Sequence, residues 1–220
     1  SAATVTDFLN GTWFPQRAQH LRPSTAHRYR WMIDNYISPT IGVLPIRSLR
    51  AEHLDRLYTE LLATGKRDGT GLAPKTVYDV HVIMRATLKH AVRIHLVEHN
   101  VALDATAPRP TARAKQGPEA WTIDQLRHFL TATKHLRLYP ALHLAATTGM
   151  RRGELAGLRW GDWNRTTHSI SVARARQSVG GHSVEVPCKT KNSRRCIDLD
   201  PHTETVLARW KRRQERDGHP

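Results

Sequence analysis

The sequence predicts a mainly α-helical first half, organised as a four-helix bundle, and a smaller α+β second half with a three-stranded antiparallel sheet. Three observations predict this division. Apolar residues recur at helical spacing through the first half. A stretch rich in proline and alanine, residues 104–118, then interrupts the pattern and is predicted to be a linker. Beyond it, apolar and polar residues alternate, which indicates strands. We therefore predict domains over residues 1–103 and 119–220.

Four amphipathic helices are predicted before the linker. The first is short and is expected to end near Pro15, since proline disfavours continuation of a helix. Ser24 is the expected N-cap of the second helix, and Pro39 its expected end. The third helix centres on residues 54–62. The fourth begins at Pro74, because proline suits the first turn of a helix.

The second half is predicted to mix helices with strands. Thr122 and Gln125 have the spacing of a capping box at the start of a helix over residues 123–134. Gly149 is expected to separate a second helix from a short third one. The segments "SISVARA", "HSVEVPCK" and "RRCIDL" predict three strands, the first two joined through "VGG". Pro201 opens a last helix.

The charge of the chain indicates a polyanionic partner. Thirty-four Lys and Arg stand against 19 Asp and Glu, a formal net charge of +15. Both ends of the chain are basic, so the charge is not confined to one tail. Nucleic acid fits better than an acidic membrane surface, because no helix pairs a strongly basic face with a bulky apolar one. The two cysteines, Cys188 and Cys196, are predicted to be free thiols in a reducing, cytoplasmic compartment.

Basic and aromatic side chains on two helices are candidates for contact with nucleic acid. Those on the fourth helix recur at helical spacing and would form a stripe suited to phosphates and base edges. The alternative is a solvated charged face, the usual role of such a stripe. The candidates are Lys75, Tyr78, His81, Arg85 and Lys89 on the fourth helix, with Arg28 and Arg30 on the second.

The segment "TTGMRRGELAGLRWGDWN" places Arg151, Arg152 and Glu154 among small and apolar residues. One reading is a guanidinium group held by Glu154 in readiness for a phosphate. The other is an ordinary Arg–Glu ion pair at the start of a helix. The residues themselves favour neither reading.

Two lysines, Lys189 and Lys191, lie in the turn "CKTKNS" between two predicted strands. A lysine at a hairpin tip could meet a phosphate or donate a proton. The alternative is a lysine-rich edge that prevents pairing with further strands.

Taken together, these segments resemble the tyrosine recombinases, the phage-type integrases. "TTGMRRGELAGLRWGDWN" is similar to the family's T-G-x-R-x-x-E-L-x-x-L-x-W-x-D box, and "CKTKNSRRCIDL" to its K-T-x-x-S-x-R hairpin. The four helices, with the "LAPKTV" helix opening, resemble the family's SAM-like core-binding domain. The resemblance covers almost the whole chain, and it identifies residues 119–220 as the N-terminal part of a catalytic domain.

The resemblance implies site-specific DNA recombination or integration by an enzyme of a phage or other mobile element. Arg151 would bind the scissile phosphate, and Glu154 would orient Arg151. Lys189 would protonate the leaving 5′ hydroxyl. A tyrosine would form a 3′-phosphotyrosine intermediate, with no metal or other cofactor. Double-stranded DNA would be the partner, and protomers would self-associate on it as dimers or tetramers. Arg152 and Lys191 would contact DNA.

The chain departs from the family pattern in one respect. Its tyrosines are Tyr29, Tyr36, Tyr58, Tyr78 and Tyr139, and all precede the arginine box, whereas the family's nucleophile follows the hairpin. We therefore expect a fragment that binds DNA without cleaving it. The alternatives are a non-catalytic DNA-binding regulator derived from the family and, third, an RNA-binding module.

Overall fold

The computed structural model describes residues 3–109, 120–187 and 194–218. The chain divides into two compact units, Ser1–Gly117 and Pro118–Pro220. Each unit has its own hydrophobic core. At the start of the predicted linker, Ala105 packs against the core of the first unit, and the Thr106 N–H donates to Asp55 Oδ1 over 2.6 Å. The rest of that segment, from residue 110, lies outside the described residues.

The named elements of the first unit are all helical, apart from an isolated antiparallel bridge between Thr4 and Pro45. Two of its helical rods are interrupted by a π-helical turn, so each is described in three parts. The elements are α1 (Val5–Phe8), a π-turn (Leu9–Trp13) and α2 (Phe14–Ala18); α3 (Pro23–Met32), a π-turn (Ile33–Ile37) and α4 (Ser38–Ile41); a 3₁₀ turn (Ile46–Ser48); α5 (Ala51–Thr64); α6 (Pro74–Arg93); and a 3₁₀ turn (Val101–Leu103).

The expected helix ends at Pro15 and Pro39 are wrong, because a π-turn precedes each proline. In each case the wider turn closes on the residue immediately before the proline, Phe14 or Ser38. A proline has no N–H to donate and its ring crowds the carbonyl four residues earlier. The longer i→i+5 hydrogen bonds of the π-turn carry the helix past that point. The expected N-cap is also displaced, since α3 begins at Pro23, before Ser24.

The core of the first unit is formed by the apolar faces predicted from the spacing. Its fully buried side chains come from all four helical rods, so the bundle is closed around one centre. The largest of these side chains are Leu9, Met32, Ile33, Ile37, Leu54, Leu57, Tyr58, Ile83, Met84 and Leu88.

The second unit mixes helices and strands as predicted. Thr122 and Gln125 form the predicted capping box, with Gln125 N–H bonded to Thr122 Oγ1 and Thr122 N–H bonded to Gln125 Oε1. Gly149 ends the second helix in the left-handed conformation, at φ 63°, which glycine adopts without steric cost. The helices are α7 (Ile123–Ala132), α8 (Tyr139–Thr148), α9 (Arg152–Ala156) and α10 (Pro201–Arg216), with a 3₁₀ turn over Trp160–Asp162.

The predicted three-stranded antiparallel sheet is present, but its strands are paired differently from the expectation. The strands are β1 (Trp163–Asn164), β2 (Ser169–Val172), β3 (Arg174–Val179), β4 (His182–Pro187) and β5 (Arg195–Asp198). The sheet has the order β1-β2-β5, whereas β3 and β4 form a separate two-stranded ribbon. The run "SISVARA" is divided at Ala173, so its first part pairs with β5 and its second part with β4.

The core of the second unit lies between α8, α10 and the inner face of the sheet. Its buried members are Leu144, Met150, Ile170, Val172, Leu199 and Leu207. None of the helices that the structure describes is long and apolar enough to cross a membrane.

Candidate functional site

The start of α9 carries the arginine box, Arg151 to Glu154, and the residues before and after Arg151 fix its backbone. Gly149 ends α8 in the left-handed conformation, and the next residue, Met150, is buried in the core. Arg151 then takes extended backbone angles as the N-cap of α9. Its N–H donates to Glu154 Oε2 over 2.9 Å, which satisfies one of the amides that a helix start leaves unpaired. The turn therefore fixes both the backbone of Arg151 and the carboxylate of Glu154.

One buried carboxylate binds two guanidinium groups at this turn. Arg151 Nη1 lies 2.9 Å from Glu154 Oε1, and Arg195 Nη2 lies 3.0 Å from Oε2. The side chain of Glu154 is 5% exposed, whereas that of Arg151 is 74% exposed. Among the described residues, Glu154 is the ion-pair partner of Arg151, so one face of that guanidinium meets the carboxylate and the rest meets solvent. We name this set the Glu154 cluster: Arg151, Glu154 and Arg195.

The Glu154 cluster holds its carboxylate in the ionised form. Burial favours the neutral acid and raises the pKa of Glu154, but hydrogen bonds from Arg195 and Arg151 outweigh it and lower the pKa from 4.5 to about 2. At neutral pH the cluster therefore has two positive charges and one negative charge. Its surplus positive charge and exposed guanidinium edge suit a phosphate diester, whose two free oxygens match the guanidinium fork.

Two glycines let α9 approach the ribbon closely. A Cβ on Gly153 would lie 2.9 Å from the carbonyl oxygen of Arg176, and one on Gly157 would lie 3.0 Å from the Cα of Ala175. The two glycines are four residues apart, so they share one face of the helix. The segment "RRGELAGL" thus needs glycine where the helix packs against the backbone of β3.

Arg195 is the member of the cluster that sequence reasoning left without a role. It begins β5, directly opposite Val172 of β2, and this pairing brings it to Glu154 across 41 residues of chain. The sequence did contain a signal, because Arg195 is the last residue of the K-T-x-x-S-x-R pattern. Of the other predicted residues, Arg152 is exposed at the first position of α9. Lys189 and Lys191 lie outside the described residues.

The predicted stripe on α6 is exposed or half-buried at four of its positions and buried at His81. Lys75, Arg85 and Lys89 are exposed and Tyr78 is half-buried. His81 is buried, and its Nδ1 lies 3.1 Å from the hydroxyl oxygen of Tyr58 on α5. A spacing of four residues advances about 40° around a helix, so a stripe of four-residue steps turns away from its starting face. This rotation carries position 81 into the bundle.

The imidazole of His81 is held as part of the core. Burial, and to a smaller extent the charge of Arg85, lowers the pKa of His81. The pKa of Tyr58 is raised, chiefly by burial. Both partners are therefore neutral at physiological pH, and their hydrogen bond satisfies two buried polar groups.

The predicted residues of α3 are tied to acidic neighbours. Asp79 of α6 accepts from Arg28 over 2.5 Å and also forms an ion pair with Lys75. Arg30 pairs with Asp34 one turn further along its own helical rod. Arg28 and Lys75 remain mostly exposed despite their shared partner, so both can still reach an external anion.

A groove between α2 and the last turns of α6 gathers further basic side chains. It is lined by Arg17, His20, Lys89, His90 and Arg93, and by no acidic side chain among the residues that the structure describes. The sequence placed Lys89 and Arg93 on one stripe of α6, but it did not group them with Arg17, His20 or His90. The sequence could not show this grouping, because α2 and α6 are separated by more than fifty residues and come together only in the folded bundle.

Comparisons with known proteins agree with this architecture. The family described as phage integrase, N-terminal SAM-like domain, matches residues 4–62. The ICEBs1 integrase of Bacillus subtilis is 24% identical over 88% of this chain and 51% of its own length. The XerC-like tyrosine recombinase of Caldanaerobacter subterraneus subsp. tengcongensis is 23% identical over 97% of this chain and 56% of its own length. The chain thus spans about half the length of these curated relatives.

Solved structures share the fold. The Tn1549 transposon integrase in complex with a circular intermediate DNA matches 94% of this chain and 64% of its own, with a TM-score of 0.70 and 17% identity. A lambda integrase dimer bound to a COC′ core site matches 94% of this chain and 53% of its own, with a TM-score of 0.65 and 16% identity.

The helical first unit and the mixed second unit thus agree with the fold of these solved structures. Residues 4–62 match the phage integrase SAM-like family, and along most of its length the chain is similar to tyrosine recombinases, the phage-type integrases.

Proposed function

We propose that this chain binds double-stranded DNA at a recombination site, and that it forms part of an enzyme that breaks and rejoins DNA strands. The observation that carries the proposal is the Glu154 cluster, in which a buried carboxylate presents an exposed guanidinium group to solvent. An ordinary surface ion pair needs neither the burial of Glu154 nor a second arginine from a distant strand.

In the full-length protein, Arg151 binds the nonbridging oxygens of the scissile phosphate. Charge builds on those oxygens in the transition state, and a guanidinium already in place stabilises it without reorganising. Glu154 orients Arg151, and Arg195 supports the carboxylate from the other side. A tyrosine hydroxyl attacks the phosphorus and forms a 3′-phosphotyrosine bond, while Lys189 protonates the leaving 5′ hydroxyl. The phosphodiester energy is kept in the covalent link, so no metal or nucleotide is needed.

The first unit supplies most of the contacts to duplex DNA in this proposal. Lys75, Arg85 and Lys89 bind phosphates along α6, and Tyr78 packs beside Lys75, whose Nζ lies 5.9 Å from the ring centroid. The basic groove beside α6 extends this surface toward α2. Asp79 pairs with Lys75 at one end of this surface, but the cations outnumber it, which suits the phosphate backbone.

Duplex binding is tested by fluorescence anisotropy with the full chain across a range of salt concentrations. We expect affinity to fall steeply with salt, and Lys89→Ala to weaken binding and reduce the salt slope by about one. Arg56→Ala is the matched control, since it removes one exposed positive charge from α5, outside the proposed surface. A flat salt response, or an equal loss in the control, refutes the proposed surface.

The chemistry is tested with a nicked suicide substrate. All five tyrosines precede Arg151, so we expect this chain to form no covalent adduct with DNA. An adduct detected on a denaturing gel refutes that part of the proposal. We further propose that protomers self-associate on the DNA. Light scattering of the protein–duplex complex measures this, and a single protomer on a duplex with two half-sites contradicts it.

A further inference from the structure

A second basic groove lies within the second unit, apart from the Glu154 cluster. It is formed by the loop after α7, the first residues of α8 and one face of α10, with a volume of about 340 Å³. The helix α8 has ten residues, about 15 Å of rise, and the groove lies at its start whereas the Glu154 cluster follows its end. We name it the α8–α10 groove: Lys134, Tyr139, His202, Arg209, Trp210 and Arg213.

The charges of the α8–α10 groove are all of one sign. Three cationic side chains and one imidazole line it, and no acidic side chain does. Among the described residues, Lys134 and Arg209 have no ion-pair partner, so the requirements of the fold do not account for their charges. Arg213 lies 3.7 Å from Asp217 but is 55% exposed. Such a concave surface concentrates anions.

Two aromatic rings accompany these cations. Tyr139 and Trp210 are half-buried at opposite sides of the groove, one on α8 and one on α10. A row of cations interleaved with aromatic rings is the arrangement that binds single-stranded nucleic acid, because the cations follow the phosphates while unpaired bases stack on the rings. A duplex offers no free base faces, so the aromatic part would contribute nothing to duplex binding.

A buried histidine behind the groove has an unused acceptor. The ring of His143 lies 5.7 Å from that of Tyr139 and 5.2 Å from that of His202, measured between centroids. The Thr203 hydroxyl donates to Asp200, so it accepts from His143 Nε2 over 2.9 Å. His143 Nδ1 is then an acceptor, and it is buried with no hydrogen-bond partner. Leaving it unpaired is unfavourable.

We propose that the α8–α10 groove binds an unpaired segment of a nucleic-acid strand, with its phosphates on Lys134, Arg209 and Arg213 and a base stacked on Tyr139 or Trp210. This site goes beyond the duplex binding proposed above and does not depend on it.

The test measures the binding of a labelled oligothymidine of about 15 nucleotides to the full chain. An excess of unlabelled duplex DNA is present throughout, so that the duplex-binding surface is occupied. We expect the double variant Lys134→Ala/Arg209→Ala to bind the oligonucleotide about tenfold more weakly. Arg212→Ala, on the same helix but outside the groove, is the matched control and should bind as the wild type does.

Stacking is tested separately from charge. Tyr139→Ala should lose about tenfold in affinity, Tyr139→Phe should retain it, and an abasic oligonucleotide of the same length should bind as weakly to the wild type as oligothymidine does to Tyr139→Ala. The abasic probe keeps the test valid if Tyr139→Ala fails to fold. Complete displacement of the oligonucleotide by duplex, or equal binding of the abasic probe, overturns the proposal.

Duplex binding by the same variants shows whether the α8–α10 groove is distinct from the duplex-binding surface. A groove variant that weakens duplex binding as strongly as oligonucleotide binding places the groove on the duplex surface and overturns the proposal. Loss of duplex binding by Lys89→Ala without loss of oligonucleotide binding supports both sites independently.

Discussion

Replacing Glu154 by glutamine tests whether one buried charge holds the arginine box together. Glutamine keeps the shape of the side chain and one acceptor oxygen, so the change removes mainly the charge. The carboxylate has a pKa of about 2 in the folded protein against an ordinary value of 4.5. That difference corresponds to about 3 kcal/mol of folding free energy at pH 7. We expect Glu154→Gln to lower the free energy of unfolding by about this amount.

The lowered pKa of Glu154 determines how the stabilisation by its carboxylate changes with pH. Because the folded-state pKa is depressed, the contribution is fully present above pH 4.5 and is lost as pH falls through about 2. The difference between wild type and Glu154→Gln should therefore shrink to about half near pH 3. Urea unfolding followed by tryptophan fluorescence measures it at each pH.

The matched control for this experiment is Glu215→Gln. It removes the same charge from an exposed carboxylate, whose pair with Lys211 spans 3.9 Å, and should cost less than about 1 kcal/mol. The reasoning is refuted if Glu154→Gln costs no more than this control, or if its cost is the same at pH 7 and pH 3.

Three further predictions concern packing and binding. Gly153→Ala should destabilise the second unit by about 1–3 kcal/mol, whereas Gly161→Ala, with open space around it, should cost less than about 1 kcal/mol; thermal unfolding distinguishes them. Tyr58→Phe leaves buried His81 without its hydrogen-bond partner and should lower the free energy of unfolding by about 1–3 kcal/mol. Duplex affinity should stay unchanged, and weaker duplex binding would indicate that His81 contacts DNA. Arg151→Ala should leave duplex affinity of this chain nearly intact in anisotropy titrations, and a large loss would show that the second unit contributes more binding than proposed.

Local signals in the sequence predicted helices and caps well where one interaction dominates. The capping box at Thr122 and the left-handed glycine at Gly149 depend on residues within four positions of one another, so their spacing is visible in the sequence. The prolines at 15 and 39 misled the prediction, because a π-turn before each removes the clash that normally ends a helix. Nothing in the residue types alone indicates that turn.

The candidate site was predictable only in part. Arg151 and Glu154 are three residues apart, so the spacing indicated their pairing but not whether the pair also binds a phosphate. Arg195 reaches the same carboxylate from β5, and that contact required knowing that β2 pairs with β5 and not with the ribbon. His81 was misplaced for the same reason, since its burial depends on where α5 lies against α6.

The sequence by itself indicated the resemblance to tyrosine recombinases, the two-part organisation, the periodic core faces and the positive charge that any anionic partner meets. These follow from short-range spacing and from composition, which do not depend on how distant segments meet. Only the tertiary structure decided which strand lies beside which, which histidine is buried, and which basic residues of separate helices share a groove. Those outcomes arise from packing between elements far apart in the chain, where small differences in register and rotation move a side chain from solvent to core.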